Sequence, residues 1–539
     1  MKKWILSIIA VLMISTTLAG CGGGGDKAKT TKSEGVPQEA VINAMSEPPA
    51  VDPAMASDTT SGWILDHIFE GLYTKDEKGN VVLGSAEDAQ VSEDGKTYTF
   101  TLRDDLKWSD GTPVTAGDFE YAWKRVLNPE TGSSFAFYMY YIKGAEEYNK
   151  GKGTVEEVGI KAKDDKTLVV ELDAPLGFFN ELLTFWVYYP VKKELVEGNK
   201  NWAADAKTYI SNGPFKLTSW KHDDELVVEK NKEYYNNKTI KLDKITWKMV
   251  NDATTYYQMY KTGELDLIQT LPVDAVAQEK ENAEYKEVPY FGTYMYMINV
   301  EKEPFTNEKV RRAFAMAIDR DALTKNITKA GEYGAYSMVP KGVETPDGDY
   351  REVGGDYFKE DAAEAKKLLE EGMKEEGWST LPEITLLYNT AENHKKIAEA
   401  IQEMIKKNLG VDIKLANQEW KTFLDTTNQK NYQIARMGWI GVLLDPVVML
   451  DFYLGDSPNN RTNWVNEEYD SLVSQAKVEQ DESKRFQLLH DAEKVLMDDM
   501  PFIPVYFYTN TYLTNPSLEG VVYPYNRYPT MKWAKKVSE

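Results

Sequence analysis

The sequence predicts a mixed α/β fold, and three patterns carry that reading. Strand-like and helix-like apolar spacings alternate along the chain, one stretch spells a strand–helix–strand unit, and an Asp-Gly pair marks a hairpin. In chain order the hairpin comes first, with Asp94-Gly95 turning between residues 91 and 101. Thr115-Ala116-Gly117-Asp118 is a capping box with Asp in the place usually taken by Glu. Phe119, Ala122, Trp123 and Val126 follow at i, i+3, i+4 and i+7, one face of a helix. Val310, Ala313, Phe314, Ala317 and Ile318 repeat that spacing. Ile384–Tyr388 is a short apolar strand, and residues 392–408 place Ile397, Ile401, Met404 and Ile405 on one helix face. Leu409-Gly410 ends that helix, and Val411–Leu415 alternates as the next strand. A βαβ unit of this length makes its two strands parallel. Asn389 and Thr390 then lie at the carboxyl end of a parallel strand, where open α/β sheets bind ligands.

Composition narrows the function. The chain has 539 residues, long enough for two or three domains, and 12% are aromatic, too many for a disordered chain. A net charge of −23 repels phosphate backbones and argues against nucleic acid as a partner. One cysteine and four histidines (His67, His222, His394 and His490), far apart in sequence, exclude a disulfide framework and a Cys/His zinc site. No metal site or cofactor is expected. The zincin, nucleophile-elbow and phosphate-loop motifs are absent. Eighty-six acids make carboxylate pairs abundant by chance, so the count neither marks nor removes a glycosidase pair.

The N-terminus carries a targeting pattern. Lys2 and Lys3 precede an apolar run from Trp4 to Leu18, followed by Leu18-Ala19-Gly20-Cys21. The run is shorter than a membrane span, and the segment resembles a bacterial lipoprotein signal. The resemblance implies that residues 1–20 are removed and that Cys21 carries lipid. Residues 21–36 read as a flexible tether. The expectation is a body held by lipid alone at the external face of a cell membrane, as in a Gram-positive cell.

A second resemblance spans the body. Phe69-Glu70-Gly71-Leu72-Tyr73, Asp94–Phe100, Leu106–Ala116 with Asp118-Phe119, Ser211-Asn212-Gly213-Pro214-Phe215 and Val310-Arg311-Arg312-Ala313 carry its first part. Tyr388-Asn389-Thr390, Asn417-Gln418-Glu419-Trp420 and Ala435-Arg436-Met437-Gly438-Trp439 carry the rest. Together they resemble the oligopeptide-binding lipoproteins of ABC importers, in the large extracellular solute-binding class. The resemblance implies a three-lobed, periplasmic-binding-protein-like fold (type II, cluster C). Lobe I would comprise residues 37–70, 210–291 and 509–539, lobe II the insertion 71–209, and lobe III residues 292–508. Ligand would lie between lobes I and III, and closure would present a surface to a permease. The protein would act as a monomer and not as an enzyme.

Family positions transfer residue by residue. Arg436, His394 and Asn389 match groups that meet a peptide's carboxyl end. A second family arginine falls on Thr427. Gly438-Trp439-Ile440-Gly441 matches the strand that pairs with the peptide main chain, and Thr59 is its counterpart on the first lobe. Trp420, Tyr138, Tyr290, Tyr508 and Asn459 match cleft positions. The family's amine-binding Asp falls on Val442, and another familiar carboxylate falls on Ser57. An enclosed ammonium without a partner costs several kcal/mol. Either Asp58 or Asp445 substitutes, or the ligand lacks a free amine there. A receptor for a modified or murein peptide or an oligosaccharide therefore stays open, and so does an extracellular carbohydrate-active enzyme.

Overall fold

The computed structural model describes residues 35–538. The signal at 1–20, Cys21 and the tether up to residue 34 lie outside the described residues. Of the described residues, 38–538 cluster as one compact unit.

The chain opens with strand β1 (Glu39–Asn43) and helix α1 (Thr59–Ile68). Strands β2 (Ala86–Val91), β3 (Thr97–Leu102), β4 (Ile160–Ala162) and β5 (Thr167–Glu171) then form a separate antiparallel sheet. Between β2 and β3 lies the expected hairpin turn, with Gly95 at φ 71°. Inside the same segment, α2 (Ala116–Leu127) starts at the expected capping box. The Asp118 carboxylate accepts the Thr115 backbone N–H at 2.9 Å.

Strands β6 (Phe215–Lys221), β7 (Glu225–Lys230), β8 (Lys244–Lys248) and β9 (Leu267–Gln269) follow, and then the long β10 (Tyr285–Ile298). Helix α3 (Glu308–Met316) stops before Ala317 and Ile318, because Asp319 caps a fresh helical turn there. The predicted strand–helix–strand unit is present as β11 (Ile384–Asn389), α4 (Glu392–Leu409) and β12 (Ile413–Gln418). Its strands are parallel, with Ile384 opposite Ile413, and Gly410 caps the helix in the left-handed region. The second strand begins two residues later than expected, so Asn417 and Gln418 belong to it. Helix α5 (Trp420–Asn428), β13 (Ile434–Ile440) and β14 (Phe502–Thr514) complete the main elements.

An eleven-stranded sheet runs β12-β11-β13-β10-β14-β9-β1-β8-β7-β6, with Tyr333–Gly334 added beside β14. Its two halves are joined only through β10 and β14. Tyr285–Pro289 of β10 face Leu513–Thr509, and after a register break Thr293–Met297 face Phe507–Phe502. Of β10, only the later part pairs with β13, and of β14, only the end pairs with β9. Each half is thus anchored to opposite ends of one two-stranded ribbon, with the irregularity between them. Buried aromatics such as Trp63, Trp123, Trp247, Tyr294 and Tyr296 fill the layers against these sheets.

The fold class read from the sequence holds: mixed α/β with a periplasmic-binding-protein-like architecture. No helix among the described residues is long and apolar enough to cross a membrane.

Candidate ligand cleft

A cavity of about 250 Å³ opens along the ribbon. Its walls come from Asp58 and Thr59 at the start of α1, Tyr290 of β10, and Asn389 and His394 around the start of α4. Trp420, Arg436, Gly438, Trp439, Ile440, Val442 and Tyr508 also line it, together with the aromatic Tyr138, Phe135 and Trp186. Aromatic walls with a few convergent polar groups are what a small-solute site requires.

Arg436 is its electrostatic centre. The side chain is 8% exposed and has no carboxylate within ion-pair distance among the described residues. Its Nη2 donates to the Tyr508 hydroxyl at 2.6 Å, its Nη1 to Asn389 Oδ1 at 3.2 Å, and its Nε to nothing. The guanidinium lies 4.6 Å from the centroid of the Tyr294 ring. Tyr294 Oη is 3.3 Å from His394 Nδ1. Burial, and then the neighbouring Arg436 charge, push the His394 imidazole well below its ordinary range, so it is neutral at pH 7. The structure thus brings Arg436, His394 and Asn389 together as one patch carrying a single uncompensated positive charge.

Two close approaches fix the neighbouring strand. A Cβ on Gly438 would meet the Tyr508 hydroxyl at 2.2 Å, so only glycine leaves that phenol free to receive Arg436. Trp439 points its indole N–H to the Val448 carbonyl at 2.8 Å and lays its ring against Phe452 and Phe135.

At the other wall, Asp58 caps α1 through Oδ1, which accepts the N–H groups of Thr60 and Ser61 at 3.0 and 3.1 Å. The Trp420 indole reaches the same oxygen from the opposite half of the sheet at 3.4 Å. Oδ2 has no partner, and burial raises the carboxyl above its usual range. The other lining acids are engaged: Asp66 with Arg527, Glu392 with Lys396, and Glu332 with Thr328 and the Ala330 N–H. Thr59 donates to the Tyr528 hydroxyl at 3.3 Å. The hydroxyls of Tyr138 and Tyr290 are buried without partners.

Three sequence-derived positions fall outside the lining. Asp445, one of the two expected amine partners, has its carboxylate taken up by Arg485 at 2.8 Å and the Val447 N–H at 2.9 Å. Asn459 is buried and donates to the Ser134 carbonyl at 3.0 Å, so it braces the neighbouring segment rather than the cleft. Gly441 stands behind the wall, its N–H bonded to the Phe291 carbonyl. Val442 does line the cavity, but its carbonyl accepts the Asn526 amide and its side chain offers no charge. The sequence reading missed Tyr294, Asn526, Tyr528 and Arg461. The first sits in an apolar strand and the others in irregular loops, where no periodicity marks them.

Residues 80–461 match the family described as bacterial extracellular solute-binding proteins, family 5 Middle. The chain belongs to that family. It is 44% identical to the dipeptide-binding protein DppE of Bacillus subtilis, over 99% of both chains. Its fold superposes on the substrate-binding domain of an oligopeptide ABC transporter from Bacillus anthracis with a TM-score of 0.90. That likeness covers 93% of this family-5 chain and 99% of the other, at 34% identity. The murein tripeptide-binding protein MppA of Escherichia coli matches at 0.87, with 35% identity and coverage of 93% and 99%. The unliganded open form of MppA matches at only 0.61, over 94% of this family-5 chain and 98% of that chain. The two halves of the family-5 body described here are therefore not disposed as in that open form.

Proposed function

We propose that this chain is the lipid-anchored extracellular receptor of an ABC importer, and that it captures oligopeptides by closing lobe I (37–70, 210–291 and 509–539) on lobe III (292–508). Lobe II (71–209) walls one end of the cleft. Cys21 carries the anchor, residues 21–36 give reach, and the closed monomer hands its cargo to the permease. The observation that carries the reading is Arg436. A buried guanidinium with a bare Nε, a phenol, an amide and a neutral imidazole is short of one carboxylate, and a peptide's carboxyl end supplies it. On its free side β13 is paired with a neighbouring strand only up to Ala435, so Gly438–Ile440, which line the cavity, offer main-chain groups to an extended ligand, which binds without reading side chains.

At the amine end Asp58 takes the place that Val442 leaves empty, because Oδ2 is the one fully buried carboxylate oxygen of the described lining without a partner. Calorimetric titration with a free, an amidated and an N-acetylated form of one tripeptide tests both ends. Amidation is expected to weaken binding to the wild type but hardly at all to Arg436→Ala. Acetylation is expected to weaken binding to the wild type but not to Asp58→Asn. Indifference of the wild type to amidation would overturn the peptide reading.

A second reading rests on Val442. If acetylated peptides bind as well as free ones, the natural ligand has a blocked or absent amine, as in a modified or murein peptide or an oligosaccharide.

A further inference from the structure

Five buried arginines separate into two kinds. Arg311 spends its guanidinium on the carbonyls of Asp499, Phe305 and Thr306. Arg320 reaches the carbonyls of Ala335, Pro504, Ala315 and Ile318. Arg351 is paired with Glu493 at 2.9 Å. These three have architectural partners. Arg436 and Arg461 do not, and both line the cleft.

Arg461 is 4% exposed. Its guanidinium makes a single hydrogen bond among the described residues, from Nη1 to Thr427 Oγ1 at 3.1 Å, and its Nε has no partner. Thr427 is oriented for this contact, since its hydroxyl proton goes to the Leu424 carbonyl at 3.0 Å and leaves a lone pair for the arginine. The backbone is held as well: the Arg461 carbonyl accepts the Tyr432 hydroxyl at 2.7 Å. Burial lowers the guanidinium to about 10, which leaves it charged at neutral pH. A buried cation with one neutral hydrogen bond is costly, and a fold that needed only a brace would saturate it with carbonyls, as it does Arg311 and Arg320.

Position 427 is where the resemblance places a second arginine, and this chain has threonine there. The guanidinium that reaches position 427 comes instead from Arg461, on a different loop. We infer that Arg461 is a second carboxylate-binding group of the cleft, separate from Arg436, and that it selects ligands with a second acidic group or a shorter ligand's terminal carboxylate. This inference rests on the peptide reading above and adds a preference to it.

Calorimetry on the full chain separates the two sources. One arm compares Ala-Ala-Ala derivatives with Glu or Gln at each position in turn. The other compares Ala-Ala with its amide. In the first arm one Glu peptide is expected to bind at least about tenfold tighter than its Gln counterpart, with the ratio falling to near one in Arg461→Met. In the second, the free dipeptide is expected to lose its advantage over the amide in Arg461→Met, while the tripeptide's own sensitivity to amidation persists through Arg436. Either result supports the assignment. Ratios unchanged by Arg461→Met in both arms overturn it. Should that variant not fold, the wild-type ratios decide: Glu equal to Gln at every position and Ala-Ala equal to its amide overturn it equally. Binding of none of these peptides would instead overturn the peptide reading, and this inference with it.

Discussion

At the scale of single residues the chemistry turns on which charges are left unpaired. Arg436→Ala is expected to weaken binding of free-carboxyl peptides by about 2–5 kcal/mol, the cost of stranding a buried charge, while thermal stability hardly changes. Calorimetry beside a melting curve checks both halves. His67 is a structural counterpart with its own pH signature. Its Nδ1 lies 2.7 Å from the Trp63 carbonyl and its Nε2 accepts the Met531 N–H at 3.0 Å, an arrangement that needs the neutral ring. Burial lowers its pKa from 6.5 to about 4. The unfolded chain therefore takes up this proton first as pH falls, and the stability His67 supplies above 6.5 is lost between pH 6.5 and about 4. Urea unfolding across that window is expected to show a shallower loss in His67→Gln than in the wild type. Equal slopes would remove His67 as a contributor. The sequence showed His67 only as one of four scattered histidines. Its role depends on Met531, 464 positions away, which no local pattern carries.

At the scale of elements, local signals were legible wherever the physics is local. The Asp94-Gly95 turn, the Thr115–Asp118 capping box and the parallel β11–α4–β12 unit follow from turn geometry, capping and periodicity, and all are present. The bounds that drifted, at the end of α3 and the start of β12, are set by a neighbouring cap and by ladder pairing rather than by apolar spacing. Strand β13 carries the element-scale prediction. Gly438→Ala is expected to push Tyr508 off Arg436 and to lower affinity by at least about tenfold, since one charge-assisted hydrogen bond is lost and the wall shifts. Arg436 and Tyr508 themselves are untouched by the substitution, so unchanged affinity would show that their contact is dispensable.

At the scale of the whole molecule, the contacts that span the cleft were invisible in the sequence because each joins distant segments. Trp420 reaches Asp58, Asn251 reaches Glu419, Asn393 reaches the Leu271 carbonyl and Lys396 pairs with Asp274. Contacts of this half-exposed or charged kind are worth at most about 1 kcal/mol each, so a bridging ligand is expected to add materially to closure. Small-angle scattering is expected to show the free protein more extended than the peptide-bound protein. Trp420→Phe, which keeps the ring and deletes the donor to Asp58, is expected to enlarge the free form further. Identical scattering with and without ligand would contradict a closing cleft. The ribbon has one more consequence. Thr293 and Phe507 are ladder partners, so the stretch between them begins and ends at adjacent points of the sheet. Residues 292–508 are therefore a single loop of chain with neighbouring ends, a cassette that could be exchanged between relatives through two cuts made side by side. Splicing that cassette would transplant Arg436, Arg461 and His394 in one move and leave Asp58 and Thr59 behind.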